Sequence, residues 1–474
     1  MVDSSYRVVY PLYLELRYSL FYTFCKRKKK QKMRSNTLAT TKFLHLLIAL
    51  LLGAMTSCNA GSKTNGILQA VEKTDTCRLD MSNSYEVFVP ATRQTAPLAL
   101  LVIVDAHGAG KFALNKFKSA AMKYPMVLVA SNTVKNGFGE YDTALQMLID
   151  DVRKKYPVGK TLFLTGFSGG ARMALGYALG HPVDGLILCG ALAGSEQIAA
   201  LSCPVISISG TDDFNFPETA QYLFQDAETP ANLKIELTRA SHSWPDSLMM
   251  ANAVGYLQLS ASKDCTPSET ILANYTRHQQ ARIDSLKKQG DLLRAALIAR
   301  NMASIPSFDP NQAFASTYNS LKADNRYISM LSALGNCLDT EMAARQTYMN
   351  AFRSKELTWW NREINNVNQS IKTEQDTFKV DMYRRITGFW GISCYSLCKQ
   401  AVSQQNAELL QKTLAIYETI EPNNADMFYF SAFRAYWKGD TKSTIEMLKK
   451  AQKAGFSDET RLKSDFPVTI WSGM

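Results

Sequence analysis

Thr161-Leu-Phe-Leu-Thr-Gly-Phe-Ser-Gly-Gly-Ala-Arg-Met-Ala-Leu175 decides how the rest of the chain is read. An apolar run feeds a Gly-x-Ser-x-Gly turn, and small helix-forming residues follow. A serine at so sharp a strand-to-helix turn takes a strained backbone conformation, and only glycine is tolerated at Gly166 and Gly170, where the adjoining backbones close in. Ser168 is then held out at the end of a sheet. The helix behind it brings an electropositive N-terminus and free backbone N–H groups, that of Gly169 among them. A bare Gly-x-Ser-x-Gly also occurs in plain loops, and it is the strand before and the helix after that favour a nucleophile turn.

Outward from this stretch, residues 66–262 alternate short Val/Ile/Leu-rich runs with amphipathic segments. Strands are predicted at Tyr85–Val89, Leu98–Val104, Met126–Ala130, Thr161–Leu164, Gly185–Cys189, Val205–Ser209 and Leu233–Leu237. Helices are predicted near Lys111–Lys123, Tyr141–Tyr156, Ala171–Leu179, Pro217–Asp226 and Ser247–Leu257. Continuously apolar strands alternating with helices mean a mostly parallel sheet in an α/β fold. From 266 to 474 the pattern is helical throughout. A shift of 34 residues aligns Tyr395 with Tyr429, Val402 with Tyr436, Asn406 with Asp440, Leu414 with Leu448 and Tyr417 with Ala451. That period resembles tetratricopeptide (TPR) helical hairpins, which implies an all-α TPR-like domain; an ordinary helical bundle packed on the first domain is the alternative. Trp359 and Trp360 cannot bury both rings on one helix face.

The formal charge of +11 suggests nucleic acid until it is located: residues 1–57 hold ten Lys/Arg against Asp3 and Glu15, leaving only about +3 on the rest. No nucleic-acid motif accompanies it, so no nucleic-acid partner is expected. Residues 33–57 read as a signal peptide with a basic start and the apolar run Phe43–Ala54, too short to span a bilayer stably. It ends in Met55-Thr-Ser-Cys58, which resembles a bacterial lipobox and implies lipidation at Cys58; a plain cleaved signal is the alternative. Residues 1–32 precede this signal awkwardly and are expected to be a misassigned extension, with translation beginning at Met33, or else a basic membrane-facing segment. The expectation is an exported lipoprotein anchored to a membrane, in the periplasm or at the cell surface. Of nine cysteines, Cys25 and Cys58 fall in this leader. Cys77 and Cys265 bracket the first domain and could staple it. Cys394 and Cys398, one helical turn apart, suit core packing better than a disulfide.

A serine nucleophile needs a base, an acid that orients the base, and donors for an oxyanion. Among five histidines, His45 lies in the signal, His278 in the helical half, and His181 just after the helix that follows Ser168. His107 ends a strand. His242, in Ala240-Ser-His-Ser-Trp-Pro-Asp246 after the last strand, is left as the base. The acid is expected after Val205–Ser209, where Asp213 is the first choice and Asp212 the second, the latter as a residue that holds the turn instead. The oxyanion hole is assigned to the N–H groups of Gly169 and Ala109, the second from His107-Gly-Ala-Gly110.

Together, His107-Gly-Ala-Gly, Gly166-Phe-Ser-Gly-Gly-Ala-Arg-Met-Ala, Gly210-Thr-Asp-Asp and His242-Ser-Trp-Pro resemble the α/β-hydrolase superfamily over about 66–262. Within it they are similar to the polyhydroxybutyrate-depolymerase and feruloyl-esterase branch, although that branch usually has Cys where this chain has Ala109. The resemblance implies a serine esterase with a Ser168-His242-Asp213 triad, acting without metal or cofactor on short-chain or carbohydrate-linked acyl esters. The roughly 20 residues between Cys189 and Gly210 leave little room for an inserted lid, so an open site is expected. Alternatives are a peptidase or acyltransferase of the same fold, or an interaction protein whose helical half binds a partner and whose hydrolase fold is a scaffold.

Overall fold

The chain is described by a computed structural model covering residues 69–93, 96–224, 229–260 and 269–474, all within one compact unit, Asn65–Met474. The leader, with Cys58 and residues 1–57, and Cys265 lie outside the described residues.

Eight strands form one sheet: β1 (Val71–Cys77), β2 (Asp80–Val89), β3 (Leu98–Val104), β4 (Met126–Ser131), β5 (Val158–Phe167), β6 (Gly185–Cys189), β7 (Val205–Gly210) and β8 (Leu233–Thr238). Their order is β1-β2-β4-β3-β5-β6-β7-β8. β2 runs antiparallel to both neighbours and every later pairing is parallel. This is an α/β-hydrolase sheet. Every residue of β3, β4, β6 and β7 is buried, as continuous apolar runs require when both faces are covered. β1 was not expected: Val-Glu-Lys-Thr-Asp-Thr-Cys has no apolar run, because an edge strand with mostly solvated faces needs none.

The helix expected at Lys111–Lys123 is instead two, Gly110–Asn115 and Lys118–Lys123. The break turns Phe117 inward, where its fully buried ring meets Trp244 edge-on at 6.0 Å.

Beyond the sheet lie helices at Glu269–Lys288, Leu292–Ala303, Ala313–Lys322, Asn325–Ser354, Leu357–Thr373, Thr377–Ser403, Ala407–Ile420, Ala425–Tyr436, Thr441–Lys453, Glu459–Asp465 and Val468–Trp471. Their starts are set by short polar side chains: Asp291, Asp324, Asp376, Asn406, Asn424, Asp440 and Asp458 each accept a backbone N–H of the first turn. Asn406 and Asp440, aligned by the 34-residue shift, are equivalent caps of two such helices. The sheet's apolar core continues past it into the first of these helices as far as Leu338, and a second core runs from Cys337 to Ile470. The 30-residue helix Asn325–Ser354 contributes to both. Trp360 is fully buried, whereas Trp359 is half-buried and edge-on to it.

Edge strand β8 is sealed by a side chain. The Asn301 amide donates to Ile235 O at 2.8 Å and its oxygen accepts from Ile235 N at 3.3 Å, standing in for a ninth strand.

Candidate active site

β5 ends at Phe167, and the helix Gly169–Gly180 begins two residues later. Between them Ser168 takes φ 54°, ψ −116°, a conformation disfavoured for any side chain and held here by its surroundings. The glycines show why the turn closes. A Cβ on Gly166 would lie 2.3 Å from the Gly170 carbonyl, and one on Gly170 would lie 2.0 Å from Val104 O. The Ser168 N–H donates to Cys189 O at 2.8 Å, pinning the turn to the end of β6.

His242 reaches this turn from the loop after β8. Its Nε2 is 2.9 Å from Ser168 Oγ, and its Nδ1 is 2.9 Å from both carboxylate oxygens of Asp213. Asp213 is 1% exposed and follows β7; its Oδ1 also accepts the Asn215 N–H at 2.7 Å. That arrangement makes Nδ1 a donor and leaves Nε2 free to accept from the serine hydroxyl. The ring is flanked by Phe167, at 4.7 Å between centroids, and Phe214, at 4.2 Å. Asp212 does not face His242. Its nearest cation is Arg384 at 3.7 Å, and burial together with the charge of Asp381 pushes its carboxyl above the ordinary range.

Gly169 presents its N–H at the start of the helix, with no Cβ in the way: one there would fall 1.7 Å from the Asn136 carboxamide oxygen. The Ala109 N–H points to Asp105 Oδ1 at 3.2 Å, a long bond, and His107 N donates to the same oxygen at 2.8 Å. His107 lies outside this hydrogen-bonded line and is exposed; His181 caps the Gly169–Gly180 helix and pairs with Asp142 at 3.0 Å.

Motif reading missed several residues that shape the site. Asp105, 4% exposed, orders the His107–Gly110 loop and also accepts Trp244 Nε1 at 2.7 Å, tying that loop to the one carrying His242. Trp244 of His-x-Trp-Pro thus has a task, visible in sequence only as an acid at the end of β3 and an indole two residues past the histidine. Gly190, at φ 63°, leaves room for Asp213, since a Cβ would lie 3.2 Å from Oδ2 and 2.6 Å from the Phe167 ring. Asn215 Nδ2 donates to Gly190 O at 2.8 Å.

Between β6 and β7 lies only the short helix Ser195–Ala199, and Ser168 and the His242 side chain keep part of their surface exposed. The C-terminal half reaches the loop after β4 through the cap of one helix. Asp458 pairs with Lys135 at 2.8 Å. Burial pulls the Asp458 carboxyl upward, and hydrogen bonds from Lys135 and the Arg461 N–H outweigh it, so the group titrates below its usual range. A cavity of about 320 Å³ adjoins the acid loop through Thr211 and Asp212 and is bordered by Arg239, Asp291, Arg294 and Arg384; neither Ser168 nor His242 lines it. Among the described residues no group of three or more His, Cys, Asp or Glu is placed to hold a metal ion, and no helix is long and apolar enough to cross a membrane.

No family model matches the chain, and no curated protein matches it. Solved structures similar in part include a fungal esterase from Rhizomucor miehei, 13% identical with a TM-score of 0.35, covering 42% of this chain and 87% of that one. An acylaminoacyl peptidase from Pyrococcus horikoshii is 9% identical with a TM-score of 0.31, the match spanning 40% of each chain. The esterase domain of a Rhodothermus marinus protein is 12% identical with a TM-score of 0.30, covering 39% of this chain and 95% of that domain. Likenesses this distant say nothing of the reaction, and the fold assignment rests on the strand order and the turn around Ser168.

Proposed function

We propose that the chain is an exported, lipid-anchored serine esterase that cleaves a short-chain or carbohydrate-linked carboxylic ester through an acyl-enzyme. What carries the reading is the unbroken hydrogen-bonded line from Asp213 through His242 to Ser168, built from three loops at one end of the sheet. In this scheme Ser168 Oγ attacks the ester carbonyl as its proton passes to His242 Nε2, and Asp213 steadies the imidazolium that forms. The oxyanion sits against the Gly169 N–H at the helix N-terminus. The Ala109 N–H is the second donor, its long bond to Asp105 being exchanged for a shorter one to the developing charge. Collapse expels the alcohol, which takes the proton from Nε2. Water, activated by the same nitrogen, then releases the acid. No residue in this scheme calls for a metal or cofactor.

A panel of chromogenic acyl esters of increasing chain length tests it. Turnover should be highest on the short acyl groups and fall to background in Ser168→Ala, whereas an inactive wild type across the panel would overturn the reading. A peptidase or acyltransferase of the same fold would instead turn over acyl amides, or transfer to an added alcohol faster than to water. The anchor at Cys58 is tested by Cys58→Ala, which should move the protein from the membrane to the soluble fraction. A TPR-like protein-binding role for the helical half is proposed on the 34-residue spacing of the caps Asn406 and Asp440 alone.

A further inference from the structure

The loop bearing Asp213 is held from outside the sheet. Glu341 and Arg345, one turn apart on the helix Asn325–Ser354, and Arg385, on the helix Thr377–Ser403, form an ion network with side chains 0%, 4% and 1% exposed. Glu341 Oε1 accepts from Arg345 Nη2 at 2.5 Å and Oε2 accepts from Arg385 Nε at 2.7 Å. Each arginine spends a second donor on the acid loop: Arg385 Nη1 donates to Thr211 O at 2.5 Å and Arg345 Nη2 to Phe214 O at 2.8 Å. These two carbonyls flank Asp213. The guanidinium of Arg345 also lies over Phe389 at 4.9 Å, and that of Arg385 over Phe216 at 5.0 Å. One turn along from Arg385, Gly388 lets the helix come close to the Phe214 ring, which a Cβ there would meet at 3.2 Å. That ring is the one packed 4.2 Å from the imidazole of His242.

A buried ion network adds little net stability over apolar residues of the same shape, and its best-attested use is to fix one register among several. Here its hydrogen bonds end on backbone either side of a carboxylate that must stay in line with His242. A bare loop carbonyl could be solvated by water at small cost, so two arginines buried for this purpose fix position more than they stabilise the fold.

We propose that Arg345, Arg385 and Glu341 are positioning residues, a clamp through which the helical half sets the orientation of Asp213 and thereby the rate at which His242 can take the serine proton. The proposal rests on the esterase reading for its effect on rate, but the order it imposes on the loop can be measured without turnover. Charge deletion at one position would leave the others buried and unpaired and could unfold the chain. The decisive variant is therefore the apolar triple Glu341→Leu/Arg345→Met/Arg385→Met in the full chain, which removes the network while keeping its volume. It should melt within a few degrees of the wild type, show faster deuterium exchange over the Thr211–Phe216 amides, and lose about 10- to 100-fold in kcat with KM changed by less than about twofold. Arg385→Lys, which keeps the charge but cannot serve Glu341 and Thr211 O together, should fall between the two. A triple variant that stays folded with wild-type exchange over this loop, or with kcat within about twofold of wild type, overturns the proposal. If the wild type hydrolyses no ester, the esterase reading fails by itself, and the exchange result still decides whether the clamp holds the loop.

Discussion

Trp244→Phe should cost about 3 kcal/mol of stability and most of the activity, and the reason is a carboxylate rather than the ring. Asp105 is 4% exposed and accepts three N–H groups: His107 N at 2.8 Å, Ala109 N at 3.2 Å and Trp244 Nε1 at 2.7 Å. The nearest basic nitrogen is Nδ1 of the exposed His107 ring, 3.9 Å away, so the charge depends on these donors. Phenylalanine keeps most of the packing against Phe117 and Phe167 but withdraws the shortest of them. Losing a hydrogen bond to a buried charged group costs about 1.5–3 kcal/mol, and the smaller ring adds about 1 kcal/mol for the space it leaves. Asp105→Asn should cost a similar amount, because a carboxamide must turn an NH2 group toward one of the three donors. The two changes remove the same bond, so in a double-mutant cycle they should be worth about 1.5–2 kcal/mol less together than their sum. Urea denaturation followed by far-UV circular dichroism on the four proteins gives the coupling. A value under about 0.5 kcal/mol would refute the claim that the indole is held for its N–H, and with it the link between the His107–Gly110 loop and the loop of His242.

Three further outcomes follow from particular contacts. Asn301→Leu strips Ile235 of both its N–H acceptor and its carbonyl donor in a buried strand, and should lower stability by about 2–4 kcal/mol; a loss below about 0.5 kcal/mol in urea would show that β8 needs no seal. Gly190→Ala, forced to φ 63° with its Cβ 2.6 Å from the Phe167 ring, should cut ester turnover at least about tenfold by displacing Asp213, and wild-type kcat would contradict this. Lys234, 8% exposed, has its ammonium pushed down to about 8 by burial and by Arg300, so the folded chain holds this proton less tightly than the unfolded one. The burden is therefore full below about pH 8 and is relieved as pH rises toward the unfolded value near 10.5. Lys234→Met should accordingly raise Tm at neutral pH, by up to about 3 kcal/mol in stability, with the gain shrinking above pH 8; a gain that grows with pH would invert the argument.

The sheet was legible wherever burial wrote an apolar run. β3 and β6 begin and end where Leu98–Val104 and Gly185–Cys189 predict. β1 was not legible, because its polar residues face water and its pairing with β2 comes from a hairpin rather than from burial. The helical half was readable as helix, and the aspartates and asparagines that cap it were present as signals. Ser168, His242 and Asp213 could be singled out because local motifs surround each, and the fold brings them within hydrogen-bond reach of one another. What no local pattern could announce were contacts between distant segments: Trp244 to Asp105 across 139 positions, and Arg385 to Thr211 across 174. A buried arginine or aspartate looks in sequence like any solvated charge, and only the fold supplies its partner.

The central claim is that Ser168 is a nucleophile activated by His242. Fluorophosphonate labelling of the native full chain, read by intact mass and by the modified peptide, tests it most directly. The account predicts one adduct, on Ser168, formed in the wild type, abolished in Ser168→Ala and slowed at least about 100-fold in His242→Ala. A native chain that takes no label, or one labelled equally well when Ser168 is alanine, would contradict it.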